Sequence, residues 1–412
     1  MKHLMFDNYP VRWIIKHLNG NTFYIRSIDL LILVIGFLIF GGIQALGWFS
    51  DSTAHSQILI KLLEEGKFPV PPGYYTSVYL LYVIVYKLGF NGLGSDASIF
   101  GLISTFLLGS AFFVKYLITK QVLRVVSGKT NPSMLTITLI SASLLFMAPV
   151  FYDLSNWFFY VGRVSPNVWH NSTTIFVMPF VLLLFMEALA YFKTDNTETK
   201  NILLITVWGF MCILIKPSFL FAFIPSFPLV TLLRFGAFSR KMAVASTIST
   251  LLFAGVLTEA YLIYFLKLYD VIYNGDGGGV VFAPFQFLSF YGNVGINMSV
   301  SFLFPLLYLV LRPRDIRERV EVQLAYVLMF FGLLVGMLFE ESGGKTNHGN
   351  FLWQAIMTNY ILFCVVAARA FISNSKQTLG TRKWNVLLAL FGLHLISGFL
   401  YIFKYLITGS IG

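Results

Sequence analysis

A chain of 412 residues that is 57% hydrophobic and only 11% charged would expose far too much apolar surface as a water-soluble globule. Its net charge of +11 suits basic loops lying against anionic lipid and implies no nucleic-acid partner. Apolar runs such as 30–48, 133–151 and 243–266 match the roughly 20 residues needed to cross a bilayer core, so the expected class is an all-α, polytopic helical membrane protein.

In chain order, about eleven spans are predicted, near 28–48, 97–118, 133–152, 174–192, 201–215, 218–234, 242–266, 290–311, 322–339, 352–372 and 384–406. The first run is too long for a cleavable signal peptide and lacks a small-residue cleavage site. The fifth and sixth spans meet at Lys216-Pro217, where proline favours a sharp break; two full spans and a re-entrant pair both fit there. Cys212 and Cys364 fall inside apolar spans, which argues against a disulfide or a metal site. No repeat and no soluble domain is visible, so residues 1–412 read as a single integral membrane domain.

Between spans, six polar segments carry most of the Lys and Arg. They hold Lys2, Arg12, Lys16 and Arg26; Lys115, Lys120, Arg124 and Lys129; Lys193 and Lys200; Arg234, Arg240 and Lys241; Arg312, Arg314, Arg317 and Arg319; and Arg369, Lys376, Arg382 and Lys383. These are 21 of the 29 basic residues. The positive-inside rule puts all six in the cytoplasm, with the N-terminus inside and the C-terminus outside. The apolar stretch 73–90 must then lie along the outer surface, because a further crossing there would invert every later cluster. Its tyrosines and Lys87 suit an interfacial helix.

Chemistry is therefore sought in the outer segments. Asp51 follows the first span directly, where a carboxylate beside apolar surface is partly desolvated and becomes a better base. The plainer reading, and the one cap statistics favour, is that it N-caps a surface helix over 52–65. The second outer loop, 153–173, gathers Asp153, Asn156, Trp157, Arg163, Asn167, Trp169, His170 and Asn171. Rings beside amide, Arg and His groups suit a sugar-binding surface, and Arg163 could grip a phosphate through two parallel hydrogen bonds; an aromatic belt with an ordinary loop would look similar. Lys216 stands alone between two apolar helices, so it serves either an anionic ligand or snorkels to the interface. The segment 340–354 adds Glu340, Glu341, Lys345, His348 and Trp353, and Glu259 sits within a span. The glycine-rich loop 267–286 lacks the Lys-Ser or Lys-Thr of a phosphate-binding loop. Asn171-Ser172-Thr173 and Asn297-Met298-Ser299 match glycosylation sequons.

The order of these features resembles the N-terminal module of the GT-C superfamily, the polytopic glycosyltransferases that use polyprenyl-phosphate sugars. The resemblance covers about residues 25–266 and leaves 267–412 as variable C-terminal helices. It rests on one span, an outer loop opening with Asp51, an amphipathic helix, Pro71-Pro72-Gly73-Tyr74-Tyr75 starting a surface helix, and a span ending in basic residues. It implies Asp51 and Asp153 as catalytic acids. The expected partners are a polyprenyl-phosphate-linked sugar and a glycan or lipid-linked acceptor at the outer face of the membrane. Lys216, Arg163, Lys345 and His348 are the candidates for the donor phosphate. His55, Tyr74, Trp157, Asn167, Trp169 and His170 are those for sugar or acceptor. Asp51 is followed by Ser52 and Asp153 stands alone, so no paired-acid motif supports a divalent metal, and no cofactor is expected. A polysaccharide polymerase or ligase acting through outer Arg and His, and a lipid-linked sugar flippase with charges lining a path, remain alternatives.

Overall fold

The computed structural model describes residues 23–47, 50–66, 71–89, 96–128, 132–151, 162–194, 199–264, 266, 279–343, 346, 349–373 and 379–409. The chain is an all-α polytopic membrane protein. Among the described residues nine helices are long and apolar enough to cross a membrane, and two shorter apolar helices, Met134–Leu145 and Thr199–Ile215, accompany them. These eleven correspond in position to the expected spans.

The first half runs α1 (Phe23–Ala45), α2 (Asp51–Glu64), α3 (Gly73–Lys87), α4 (Asp96–Ser127), α5 (Met134–Leu145), α6 (Ser172–Lys193), α7 (Thr199–Ile215), α8 (Ser218–Phe235) and α9 (Arg240–Tyr264). The second half holds β1 (Val280–Phe282), α10 (Gln286–Phe290), α11 (Val294–Leu311), α12 (Asp315–Glu318), α13 (Val320–Leu338), β2 (Phe339–Glu341), α14 (Trp353–Ala367) and α15 (Thr381–Thr408). Packing pairs α1 with α4, α4 with α6, α6 with α7, α8 with α9 and α13, and α13 with α14. At the centre stands α14. With its flanking turns it forms the segment Asn350–Ile372, 94% of whose apolar window is buried, so no face of this helix is left for lipid. One hydrophobic core includes residues from both halves of the chain.

α3 is not among the nine long helices. Its 15 residues reach about 22 Å at 1.5 Å per residue, short of the ~30 Å hydrocarbon thickness. Its first residue is a glycine for a steric reason. A Cβ on Gly73 would stand 2.8 Å from the Leu214 carbonyl oxygen, so α3 begins tight against the end of α7, beside Lys216.

Three expectations are corrected. The third span does not run helically over 133–152, because α5 stops at Leu145 and the chain continues without helix to residue 151. Backbone groups freed inside an apolar bundle need partners, and α15 and α11 supply them. Ala148 N–H donates to the His394 carbonyl (3.2 Å) and Val150 N–H to the Val300 carbonyl (2.9 Å). Phe151 N–H donates to Ser397 Oγ (2.9 Å), and His394 Nδ1 lies 2.7 Å from the Ala148 carbonyl oxygen. α15 can pass this close only at glycine, since a Cβ on Gly398 would fall 1.4 Å from the Phe146 carbonyl oxygen.

The second correction concerns charge. α4 continues to Ser127, past the expected end near 118, so Lys120 and Arg124 belong, like Lys115, to a helix and not to a polar segment between spans. Lys115 and Lys120 are buried, and Lys120 Nζ pairs with Asp29 Oδ1 at 2.8 Å. Arg369 is likewise buried, 3.9 Å from Asp315. Polar groups inside the bundle are therefore more numerous than Glu259, itself buried. Third, the region after the glycine-rich stretch forms a strand, with Val281 facing Glu340 in an antiparallel pair of β1 and β2.

Candidate functional site

The start of α2 decides what Asp51 is for. Ser50 caps the helix: its side-chain oxygen accepts from Ser52 N–H at 3.2 Å. Asp51 is the first helical residue and its carboxylate is left for other work. The helix start is pinned to the loop before α6, because Asp51 N–H donates to the His170 carbonyl at 2.9 Å.

Asn171 is the N-cap of α6, and its Oδ1 accepts from Thr174 N–H at 2.9 Å. That bond fixes the amide orientation. With Oδ1 turned to the helix, Nδ2 donates to Asp51 Oδ2 at 2.5 Å. The same Oδ1 accepts from Lys216 Nζ at 3.0 Å, and Lys216 also donates to Thr173 Oγ1 at 3.3 Å. One amide thus joins the carboxylate of the first loop to the ammonium at the α7–α8 junction. The Lys216 ammonium lies over the Trp353 ring, 4.4 Å from its centroid, a cation–π contact contributed by α14. Glu341 of β2 and Tyr405 of α15 lie within electrostatic reach of Lys216 and Asp51 respectively.

The electrostatics follow from burial. Burial raises the Asp51 carboxyl above its ordinary range, and Lys216 and the Asn171 hydrogen bond offset part of that rise. Burial brings Lys216 down to about 7 against the opposing pull of Asp51 and Glu341. His55 and His170 are both pushed down to about 3, by burial and then by the nearby ammonium, so both imidazoles are neutral at physiological pH. His55 shares a 2.5 Å hydrogen bond with the Tyr75 hydroxyl and packs edge-on to Tyr74, with ring centroids 5.7 Å apart. The His170 ring lies 5.9 Å from that of Trp353.

Of the residues singled out in the sequence, Asp51, His55, Tyr74, His170 and Lys216 come together here. Three others do not join them. Arg163 Nε donates to Asn297 Oδ1 at 3.4 Å, facing α11. Asn167 accepts from Lys115 Nζ at 2.7 Å and donates to the Leu144 and Met147 carbonyls, both at 2.9 Å. Trp169 is 3% exposed and enclosed by Phe40, Phe112 and Phe146, which leaves no ring face open to a pyranose. Asp153, Trp157, Lys345 and His348 lie outside the described residues.

Asn171, Thr173, Tyr75, Trp353 and Glu341 complete the cluster. In the sequence Asn171, Glu341 and Trp353 are scattered candidates of separate outer segments, and Thr173 and Tyr75 read only as parts of a sequon and a proline-aromatic segment; contact across the fold is what joins them. Both sequon asparagines are buried and hydrogen-bonded, so neither side chain is presented for modification. Groups of three or more His, Cys, Asp or Glu able to hold a metal ion are absent among the described residues.

Chemically, the cluster holds a partly desolvated carboxylate and a cation at a separation set by one amide. It can take a proton from a hydroxyl at one end and hold an anion at the other. Compared with known proteins, the chain matches no family model, and no curated protein is significantly similar to it.

Proposed function

We propose that the chain is a membrane glycosyltransferase that moves a sugar from a polyprenyl-phosphate donor to an envelope glycan or lipid-linked acceptor at the outer face, with its N-terminus in the cytoplasm. The observation that carries this reading is the Asp51–Asn171–Lys216 linkage. Transfer from a lipid phosphate needs a base for the incoming hydroxyl and a cation for the departing phosphate. It needs both in a site from which bulk water is largely excluded.

In this mechanism Asp51 Oδ takes the proton as the acceptor oxygen attacks the anomeric carbon. The bond from that carbon to the phosphate oxygen breaks, and the electron pair leaves with the lipid phosphate. Lys216 stabilises the charge that develops there. Among the described residues its ammonium hydrogen-bonds directly to neutral acceptors, Asn171 and Thr173, so an arriving phosphate would supply the counter-charge that burial makes favourable. Asn171 keeps base and cation in fixed relation, the kind of positioning from which a bimolecular displacement gains most. His55, neutral, and Tyr75, hydrogen-bonded to it, offer donors and acceptors for sugar or acceptor hydroxyls.

The test is transfer by purified protein from a synthetic polyprenyl-phosphate sugar to a saccharide acceptor. Turnover by the unaltered chain and a loss of about a hundredfold or more in Asp51→Asn is expected. Full activity in that variant would exclude Asp51 as base.

A further inference from the structure

A second polar site lies inside the bundle, apart from the Asp51–Lys216 cluster. Lys115 is buried on α4 and lines a cavity of about 20 Å³ together with Asn167, Thr174 and the rings of Phe40, Phe112 and Trp169. Among the described residues its ammonium meets neutral groups, an amide and a ring, with the buried Cys364 thiol within electrostatic reach. The ammonium donates to Asn167 Oδ1 at 2.7 Å and stands 3.6 Å from the centre of the Tyr360 ring. Among the described residues no carboxylate pairs with it. An ammonium removed from water without an anion is costly, and such groups at membrane depth serve a ligand or a pathway.

The cavity holds a second, independent sign. Thr174 Oγ1 is buried there without a hydrogen-bond partner among the described residues, and a buried hydroxyl normally has one. Thr174 lies in the first turn of α6, whose N-terminal dipole favours negative charge. Asn167 cannot supply that charge, since its amide is committed to Lys115 and to two backbone carbonyls. Size then sets the class of ligand. A cavity of about 20 Å³ has room for one water-sized particle, and a phosphate or carboxylate does not fit.

We propose that this cavity binds one monatomic anion of the chloride type between the Lys115 ammonium and the Thr174 hydroxyl. The ion neutralises Lys115 and ties α4 to the start of α6, and with it the segment that delivers His170 and Asn171 to the candidate site. The proposal does not depend on the transferase reading.

The experiment is thermal unfolding of the full chain in detergent, with sodium chloride or bromide exchanged for sodium gluconate at constant ionic strength. It is paired with diffraction at the bromine absorption edge from crystals grown in bromide. The expected results are a saturable rise in melting temperature with either halide and a bromide peak between Lys115 and Thr174. Lys115→Met should abolish the halide response, and the exposed-lysine control Lys383→Met should keep it. Thr174→Val, which conserves volume, should weaken halide affinity about tenfold by losing a hydrogen bond to a charged group. It decides the matter should Lys115→Met fail to fold. A flat halide response in the unaltered protein, an undiminished response in Thr174→Val, or a cavity without a bromide peak would overturn the proposal and leave a water in its place.

Discussion

Lys216 reaches Asp51 through Asn171: Nζ donates to Asn171 Oδ1 at 3.0 Å, and Asn171 Nδ2 donates to Asp51 Oδ2 at 2.5 Å. The amide cannot turn over without losing the Thr174 cap. Helix α6 therefore holds the polarity of the link in place.

Because Ser50 caps α2, the structural part of this turn can be separated by mutation from the catalytic part proposed for Asp51. Ser50→Ala should lower stability by about 1 kcal/mol, the usual cost of a lost cap, and leave most of the turnover. Asp51→Asn should do the reverse, with turnover down about a hundredfold and an unchanged melting temperature. Asp153→Asn, assayed in parallel, asks whether the base lies in the second loop. A dead Asp153→Asn beside a nearly active Asp51→Asn would move it there.

Lys216→Ala should weaken use of the polyprenyl donor by about 2–5 kcal/mol, the range for removing one partner of a buried charge pair. Lys216→Arg should retain most of it. Arg163 faces Asn297, so Arg163→Ala should lower thermal stability and leave donor KM close to normal. Equal donor defects in the Ala variants would place Arg163 at the phosphate after all. Normal donor affinity in Lys216→Ala would reduce that residue to a structural turn.

The pH dependence has a definite sign. Asp51 must be ionised to act as base, and its pKa is raised, so kcat/KM should climb as pH rises through a value above the ordinary carboxylate range. On the transferase reading Lys216 must be protonated to hold phosphate, and in the unliganded protein burial brings its pKa down to about 7. kcat/KM should then fall as pH rises through that value, giving a bell. A bound phosphate favours the ammonium, so the alkaline limb should move upward in kcat. Lys216→Arg should shift that limb out of the measurable range, because guanidinium does not titrate there.

Asn171→Ser keeps a capping oxygen but removes the amide donor to Asp51. That hydrogen bond lowers the carboxyl pKa, so its loss should move the acid limb to higher pH while folding is retained. An acid limb identical to that of the parent would mean that Asn171 only caps its helix.

Gly398→Ala tests the break in the third span. Its methyl group would overlap the Phe146 carbonyl oxygen, which no side-chain rotation can relieve. A loss of about 3 kcal/mol or more is expected from such overpacking, read as a fall in melting temperature or in yield of inserted protein. Gly392→Ala, on the same helix with open space around its Cβ, should be close to neutral.

The sequence by itself determined the class, the number and order of apolar segments and the two most informative charges. A bilayer needs runs of about 20 apolar residues whatever the fold. A lone Lys between apolar helices and an Asp just past a span are local anomalies that need no partner to be noticed. Tertiary structure alone decided what they do together. Asp51 and Asn171 are 120 positions apart, and nothing in either segment shows that the amide of one orients the carboxylate of the other. The break after Leu145 was equally hidden. Extended and helical apolar backbone have the same composition, and the groups that satisfy it, such as Ser397 for Phe151, stand 246 positions away. Composition places a lysine near water by default, so the sequence alone puts Lys115 in a basic segment at the edge of a span. The fold instead buries it against Asn167 and Tyr360, since a charge goes where its partners are assembled, and only packing assembles them.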